Sequence, residues 1–70
     1  MNKIRSYANE VGHQIVGKLT RRPGLEWTLD WDTGEKKPSG YRHYSDDAGN
    51  VYIVSKTGGV CIVDAEGGVI

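Results

Sequence analysis

Three side chains could supply nucleophilic or acid–base chemistry, namely Cys61, His13 and His43. Cys61 lies between Val60 and Ile62, and a thiol in such an apolar strand behaves as a small hydrophobic side chain rather than as a nucleophile. His13 falls on the outer face of a predicted helix, and His43 lies in the middle of a predicted strand. One cysteine and two separated histidines do not form the four-ligand set of a zinc site. We therefore expect no catalytic residue, no metal site and no cofactor.

The acidic segment at residues 30–35 resembles two motifs that carry chemistry. It begins like a calcium-binding loop, but Gly34 occupies the fifth position and a tyrosine stands where the bidentate glutamate should be. The Asp-Thr-Gly triplet that starts at Asp32 resembles that of aspartic proteases, which pair two such carboxylates to share one proton. A dimer could bring Asp32 and His43 together in an enzyme site, but we favour a simpler interpretation, a strand that ends in a turn.

The composition limits the chain to one small core and argues against several function classes. Its 70 residues carry a formal net charge of zero, so no bulk field attracts nucleic acid or an anionic membrane. The sequence contains nothing that approaches the roughly 20 consecutive apolar residues of a membrane span. Cys61 is the sole cysteine, whereas small domains from oxidising compartments usually carry several, which favours the cytoplasm. We expect residues 1–70 to form a single cytoplasmic domain.

The period of the apolar residues changes at Pro23, and this change predicts the fold. Before Pro23 they recur at the spacing of an amphipathic helix over residues 3–21, which Pro23 and Gly24 end. After it they alternate or form short apolar runs between glycine-rich turns, which predicts an antiparallel sheet. The predicted class is α+β, with one N-terminal helix packed on four strands at residues 25–31, 41–46, 51–55 and 60–64, and residues 69–70 as a candidate fifth.

The strands at residues 51–55 and 60–64 are apolar on both faces. Strands of this kind are usually buried on both sides, yet one helix covers only one face of a sheet. The sequence therefore predicts that a second chain or the curled sheet itself covers the other face, and that residues 60–64 form an edge in need of a partner. A weaker signal is the similarity between residues 47–51 and 64–69, which we interpret as two hairpin turns with the same chemistry.

The connection at residues 32–40 is longer than the roughly 2 to 5 residues of most hairpin loops. It mixes acidic and basic residues, and Trp31 and Tyr41 flank its base. Long charged loops between aromatic side chains often recognise a partner, although a tolerated insertion would have the same composition.

These signals favour a small non-catalytic domain that binds another protein and regulates or inhibits it by masking its surface. Small regulators and phage inhibitors take this form, which is an analogy of class. A homodimer through the apolar strand face or edge is a related prediction. The predicted partner-binding residues lie in the long loop, beside it, or on the two apolar strands: Trp31, Glu35, Lys36, Lys37, Tyr41, Tyr52, Val54 and Val63.

The alternative function is a module that binds single-stranded nucleic acid. The phosphates of the nucleic acid would contact a basic patch, and its bases would stack on tryptophan and tyrosine side chains nearby. The zero net charge and the acidic residues at 30–35 weigh against this alternative. The predicted patch consists of Lys18, Arg21, Arg22, Lys36, Lys37 and Arg42.

Overall fold

The structure is a computed structural model that describes residues 2–70, so Met1 of the predicted domain lies outside the described residues. The predicted α+β class is confirmed, because one N-terminal helix accompanies a four-stranded antiparallel sheet and a separate two-stranded sheet. A short 3-10 turn at Pro23–Leu25 precedes the second strand. In chain order the elements are α1 (Asn2–Val11), β1 (Thr20–Arg21), β2 (Trp27–Leu29), β3 (Lys36–Pro38), β4 (Arg42–Ser45), β5 (Val51–Val54) and β6 (Val60–Val63).

Helix α1 ends at Val11, well before the predicted end at residue 21. Gly12 has a φ of 74°, its N–H donates to the Asn9 carbonyl (3.3 Å), and the His13 N–H donates to the Ala8 carbonyl (2.8 Å). This is a Schellman motif, in which a glycine in the left-handed conformation closes a helix. The predicted helix is therefore too long, because Gly12 is a C-terminal cap and not an interior residue.

The chain beyond the helix returns to the sheet as an irregular segment at residues 13–19. It is fixed to the turn after β4, where the Asp47 N–H donates to the Val16 carbonyl (2.9 Å) and the Val16 N–H donates to the Asp46 carboxylate (3.1 Å). Gly17, with a φ of 71°, lies so close to Asp47 that a Cβ at this position would overlap its carboxylate. The close approach explains why a glycine stands there.

The four-stranded sheet has the order β1–β4–β5–β6, and all neighbours are antiparallel. The predicted strand at residues 25–31 is not part of it, since its central residues form β2 and pair with β3. Its place is taken by β1, in which two residues of the predicted helix are extended and pair with the end of β4. Residues 69–70 add a single bridge, between Val69 and Val63.

Three turns with the same hydrogen-bond pattern follow the strands β4, β5 and β6. Asp46, Ser55 and Asp64 begin them, nine positions apart, and each N–H donates to the carbonyl four residues on (3.1, 2.8 and 2.8 Å). Each side chain also accepts a hydrogen bond from the N–H of that fourth residue (3.0, 2.9 and 2.7 Å). Glycines stand three residues after each start, with φ values of 88°, 93° and 89°. The similarity between residues 47–51 and 64–69 therefore belongs to a nine-residue repeat, whose middle copy lies between them.

The core lies between α1 and one face of the sheet. Directly paired residues of antiparallel strands share a face, so Tyr44, Tyr52 and Ile62 form one row beneath the helix. Partly buried apolar side chains, including Ile15 and Leu19 of the irregular segment, surround the cluster. The buried apolar residues are Ile4, Ala8, Tyr52 and Ile62.

Strands β2 and β3 form a hairpin that pairs with neither edge of the larger sheet. We call residues 25–38, which comprise this hairpin and the two residues before it, the arm; α1, the four-stranded sheet and the segments that connect them are the body. In the arm Trp27 pairs with Pro38, Thr28 with Lys37, and Leu29 with Lys36. The predicted loop at residues 32–40 is therefore partly strand, and the connection between the two strands is limited to residues 30–35.

Candidate functional site

The most heavily hydrogen-bonded polar group of the body is the carboxylate of Asp46, which is 7% exposed. It accepts bonds from the backbone N–H groups of Val16, Ala48 and Asn50 (3.1, 3.0 and 3.0 Å), and from the Asn50 side chain (2.9 Å). The Tyr52 hydroxyl also donates to it (2.8 Å) and bonds in turn to Nε2 of His13 (2.7 Å). This network joins the irregular segment, the turn after β4, and β5.

The network holds Asp46 in its charged form. Burial alone would raise the pKa of this carboxyl group, but the hydrogen bonds from Asn50, Val16 and Tyr52 together lower it to about 2. Burial, followed by the bond to Asp46, raises the pKa of Tyr52. Because the Tyr52 side chain is wholly buried, with 0% exposure, no substrate reaches it. We interpret the network as a device that fixes the fold rather than as a reaction site.

The sheet face opposite the helix carries Val51, Ile53, Cys61 and Val63, all partly exposed. His43 pairs directly with Ile53 on this face, and its Nδ1 is buried without a hydrogen-bond partner among the described residues. The sequence predicts that a second chain or the curled sheet itself covers this face, and the homodimer stays a prediction.

Glu26 connects the arm to the body. Its carboxylate accepts two hydrogen bonds from Arg21 of β1, from Nε at 2.6 Å and Nη2 at 2.7 Å, and one from the His43 N–H of β4 at 3.2 Å. The bond from Arg21 is the main reason why the pKa of Glu26 falls to about 2. The Ser39 N–H donates to the Glu26 carbonyl (2.8 Å) and closes the base of the arm.

A groove of about 790 Å³ lies where the arm meets the body. Four cations from separate parts of the chain line it: Lys3 of α1, Arg21 of β1, Arg42 of β4 and Lys56 of the turn after β5. Glu26 is the one acidic residue among the described lining residues, and it is already paired with Arg21. Within residues 2–70, Lys3, Arg42 and Lys56 form no salt bridge. The groove is therefore positively charged although the whole chain is neutral.

Aromatic side chains line the same groove. Trp27 is 53% exposed, Tyr41 is 49% exposed, and Tyr44 is partly buried. The Arg21 guanidinium carbon lies 5.8 Å from the centre of the Tyr44 ring, within the range of a cation–π contact. Arg42 and Tyr44 share a face because they are two residues apart on β4, which explains how the strand directs both into the groove.

The arm itself exposes large apolar side chains that no core covers. Leu25 and Leu29 are each 47% exposed and Trp31, at the tip, is 89% exposed. Trp27 belongs to the same row, because it lies two residues after Leu25 and two before Leu29. Lys36 pairs directly with Leu29. On the other face of the arm the Lys37 ammonium lies 3.8 Å from the Asp30 carboxylate. The sequence predicted that the helix packs on the strand at residues 25–31, but the apolar face of this strand is open to solvent.

The structure separates the predicted partner-binding residues. Glu35, Lys36 and Lys37 lie on the arm with Trp31, and Tyr41 follows the arm in the groove. Val63 stands on the sheet face opposite the helix. Tyr52 and Val54 lie on the helix-covered face; Val54 reaches the groove, whereas Tyr52 is wholly buried and its assignment as a contact residue is wrong. The reason is that β5 turns Tyr52 towards α1.

The predicted nucleic-acid patch is divided in the same way. Arg21 and Arg42 line the groove, but Lys18, Arg22, Lys36 and Lys37 do not. Arg22 instead donates to the Ser45 hydroxyl (3.3 Å). The cations that sequence reasoning missed are Lys3 and Lys56, which tertiary structure brings together from positions far apart in the chain, so no local pattern indicated them.

Comparison with protein-family models, curated proteins and solved structures gave no match. The helix described in the structure falls short of what a bilayer span requires in length and apolar content. Among residues 2–70, no cluster of three or more histidine, cysteine or acidic side chains is placed to hold a metal ion. The arm and the groove are therefore the candidate functional surfaces of the described residues.

Proposed function

We propose that this domain is a non-catalytic cytoplasmic module that binds another protein through the arm and regulates or inhibits it by masking part of its surface. One observation carries the proposal: the arm presents Leu25, Trp27, Leu29 and Trp31 to solvent on a hairpin outside the core. Isolated two-stranded hairpins are marginally stable in water. A row of large apolar side chains on such a hairpin gains most from a partner that covers it.

The side chains of the arm define the chemistry of the partner. Tryptophan is enriched among residues that dominate binding energy, and it buries a large area at a small cost in conformational entropy. Trp31 at the tip would enter an apolar cleft. Lys36 stands beside Leu29 without an ion-pair partner among the described residues. The partner we propose is therefore a protein with an apolar cleft and an acidic rim.

The proposal is tested by capture of the partner on the immobilised domain, after nuclease treatment and at raised salt. The double substitution Leu29→Ala/Trp31→Ala is expected to abolish specific capture. Trp31→Ala alone should weaken binding roughly 30-fold or more, the effect of losing a dominant contact residue. A matched control removes exposed apolar side chains away from the arm, with Val16→Ala/Val69→Ala.

Two outcomes would contradict the proposal. One is a captured protein that binds the Leu29→Ala/Trp31→Ala variant as well as the original chain, which would place the contact elsewhere. The other is equal loss of binding in the Val16→Ala/Val69→Ala control, which would indicate general surface adhesion. Circular dichroism of each variant shows that the fold is retained.

A further inference from the structure

We propose that the groove binds a short segment of single-stranded nucleic acid, with its phosphates on the cations and its bases stacked on the aromatic side chains. This goes beyond protein binding by the arm and does not depend on it. The observation that carries the proposal is the convergence of Lys3, Arg42 and Lys56 on one groove that also exposes Trp27 and Tyr41.

The arrangement of the charges gives the groove a local positive potential. Arg21 is held by two hydrogen bonds to Glu26, so this pair contributes little net charge to the groove. Lys3, Arg42 and Lys56 remain, with no salt bridge among the described residues. Three uncompensated cations around one concave surface attract a polyanion locally, although the chain as a whole is neutral.

The aromatic side chains distinguish the ligand. Every base has a flat face that stacks on an aromatic ring, and such stacking tolerates any sequence. An acidic peptide would engage the cations but would leave the exposed faces of Trp27 and Tyr41 in water. A duplex keeps its bases stacked on one another, so it offers these rings nothing to stack on. The combination of cations and exposed rings therefore favours a single strand.

The size of the site follows from its borders. The groove volume of about 790 Å³ lies within the range of pockets that enclose small ligands. The acidic side chains of Asp30, Asp32 and Glu35 follow β2 on the arm and would repel a backbone that continued in that direction. We therefore expect a few nucleotides in the groove rather than a long track.

The test uses the full chain and labelled poly-dT and poly-U of about 12 nucleotides, a length within the range that single binding folds cover. Fluorescence anisotropy is expected to show binding at about 50 mM salt. Three phosphate contacts on a single strand predict a slope of about −2 in the logarithmic salt dependence, which is roughly a 20-fold loss of affinity at about 200 mM.

Matched variants locate the site. Arg42→Ala/Lys56→Ala should weaken binding and flatten the salt dependence, whereas Arg5→Ala/Lys18→Ala removes one arginine and one lysine outside the groove and should leave binding nearly unchanged. Tyr41→Ala should weaken binding by about 5- to 150-fold, the range for loss of one stacked base. Trp31→Ala, which tests the arm, should keep oligonucleotide binding.

Several results would overturn this inference. They are absence of oligonucleotide binding at about 50 mM salt, equal weakening by the Arg5→Ala/Lys18→Ala control, and an unchanged affinity in Tyr41→Ala. Preferential binding of a polyglutamate peptide to the groove would show that it takes acidic protein segments instead. If the oligonucleotide tests fail but Trp31→Ala still loses protein capture, the groove inference is wrong and the proposed function of the arm stands.

Discussion

The body and the arm both carry rows of large apolar side chains on their strands, but these rows are buried in the body and exposed in the arm. In the body, Tyr52 and Ile62 are wholly buried beneath α1. In the arm, Leu29 and Trp31 belong to a regular alternation of apolar and polar residues and remain exposed. The difference is topological, because within residues 2–70 the arm pairs with no strand of the larger sheet and no helix packs on it. Alternation in a sequence indicates that one face is apolar, and it does not indicate what covers that face.

The two regions also differ in how their polar groups are used. The body concentrates five hydrogen bonds on the buried carboxylate of Asp46. The arm is held at its base by Glu26, whose partners Arg21 and His43 belong to the body. We infer that the body sets the stability of the domain and that the arm is free to serve as a contact surface.

The largest effect is expected from Asp46→Ala in the body. The substitution removes the acceptor of five hydrogen bonds, one of them from the wholly buried Tyr52 hydroxyl, at a cost of about 3–5 kcal/mol. A 70-residue domain has a free energy of unfolding of roughly 4–10 kcal/mol, so the variant should be close to unfolded. Urea denaturation followed by circular dichroism measures this. A loss below about 1 kcal/mol would show that the network is dispensable.

A matched pair of aliphatic truncations compares the two regions directly. Ile62→Ala in the core should lower the free energy of unfolding by about 2–5 kcal/mol, because it removes buried methylene groups and leaves a cavity. Leu29→Ala in the arm should cost less than about 1 kcal/mol, since its side chain is already half exposed. Equal losses in urea denaturation would mean that the arm is part of the core.

Acid should lower the stability of the body by protonating Asp46. The pKa of this group is about 2 in the folded state against an ordinary 3.8. Its contribution to the free energy of unfolding is therefore present above pH ~4 and is lost as the pH falls towards 2. The shift in pKa corresponds to about 2 kcal/mol. The pKa of Glu26 is lowered in the same direction, so its contribution disappears in the same range. Unfolding free energies measured across this range should fall, and a flat profile would contradict the assigned network.

The smallest effect on stability is expected from Trp31→Ala at the tip of the arm. Trp31 is 89% exposed, so the substitution should change the free energy of unfolding by less than about 0.5 kcal/mol. The same variant should lose the protein partner. A large loss of stability would mean that Trp31 has a structural role and would remove the separation between folding and binding.

The body was largely predictable from sequence because its strands are short apolar runs between glycine turns. The predicted strands at residues 41–46, 51–55 and 60–64 correspond to β4, β5 and β6. The spacing of Asp46, Ser55 and Asp64, each with a glycine three residues later, was also available in the sequence and would have indicated the repeat. The end of α1 was missed because Gly12 interrupts a helical pattern of apolar residues that continues to Leu19.

The candidate sites were less predictable, for a physical reason. Trp31, Lys36 and Tyr41 were indicated by their local context, since exposed arms and loops have a recognisable composition. The groove depends on contacts between distant parts of the chain, and nothing near Lys3 or Lys56 in the sequence shows that they meet at one surface. Tyr52 was misplaced because a strand that is apolar on both faces does not reveal which face the helix covers.

Native-state hydrogen exchange tests the division between body and arm most directly. Amides whose hydrogen bonds break only in global unfolding are strongly protected from exchange. Amides of marginally stable elements exchange through local opening. We predict strong protection for the paired amides of β5 and β6, and little protection for those of β2 and β3. Protection of the arm equal to that of β5 would show that both fold as one unit, and it would contradict the account of the arm as a separate contact surface.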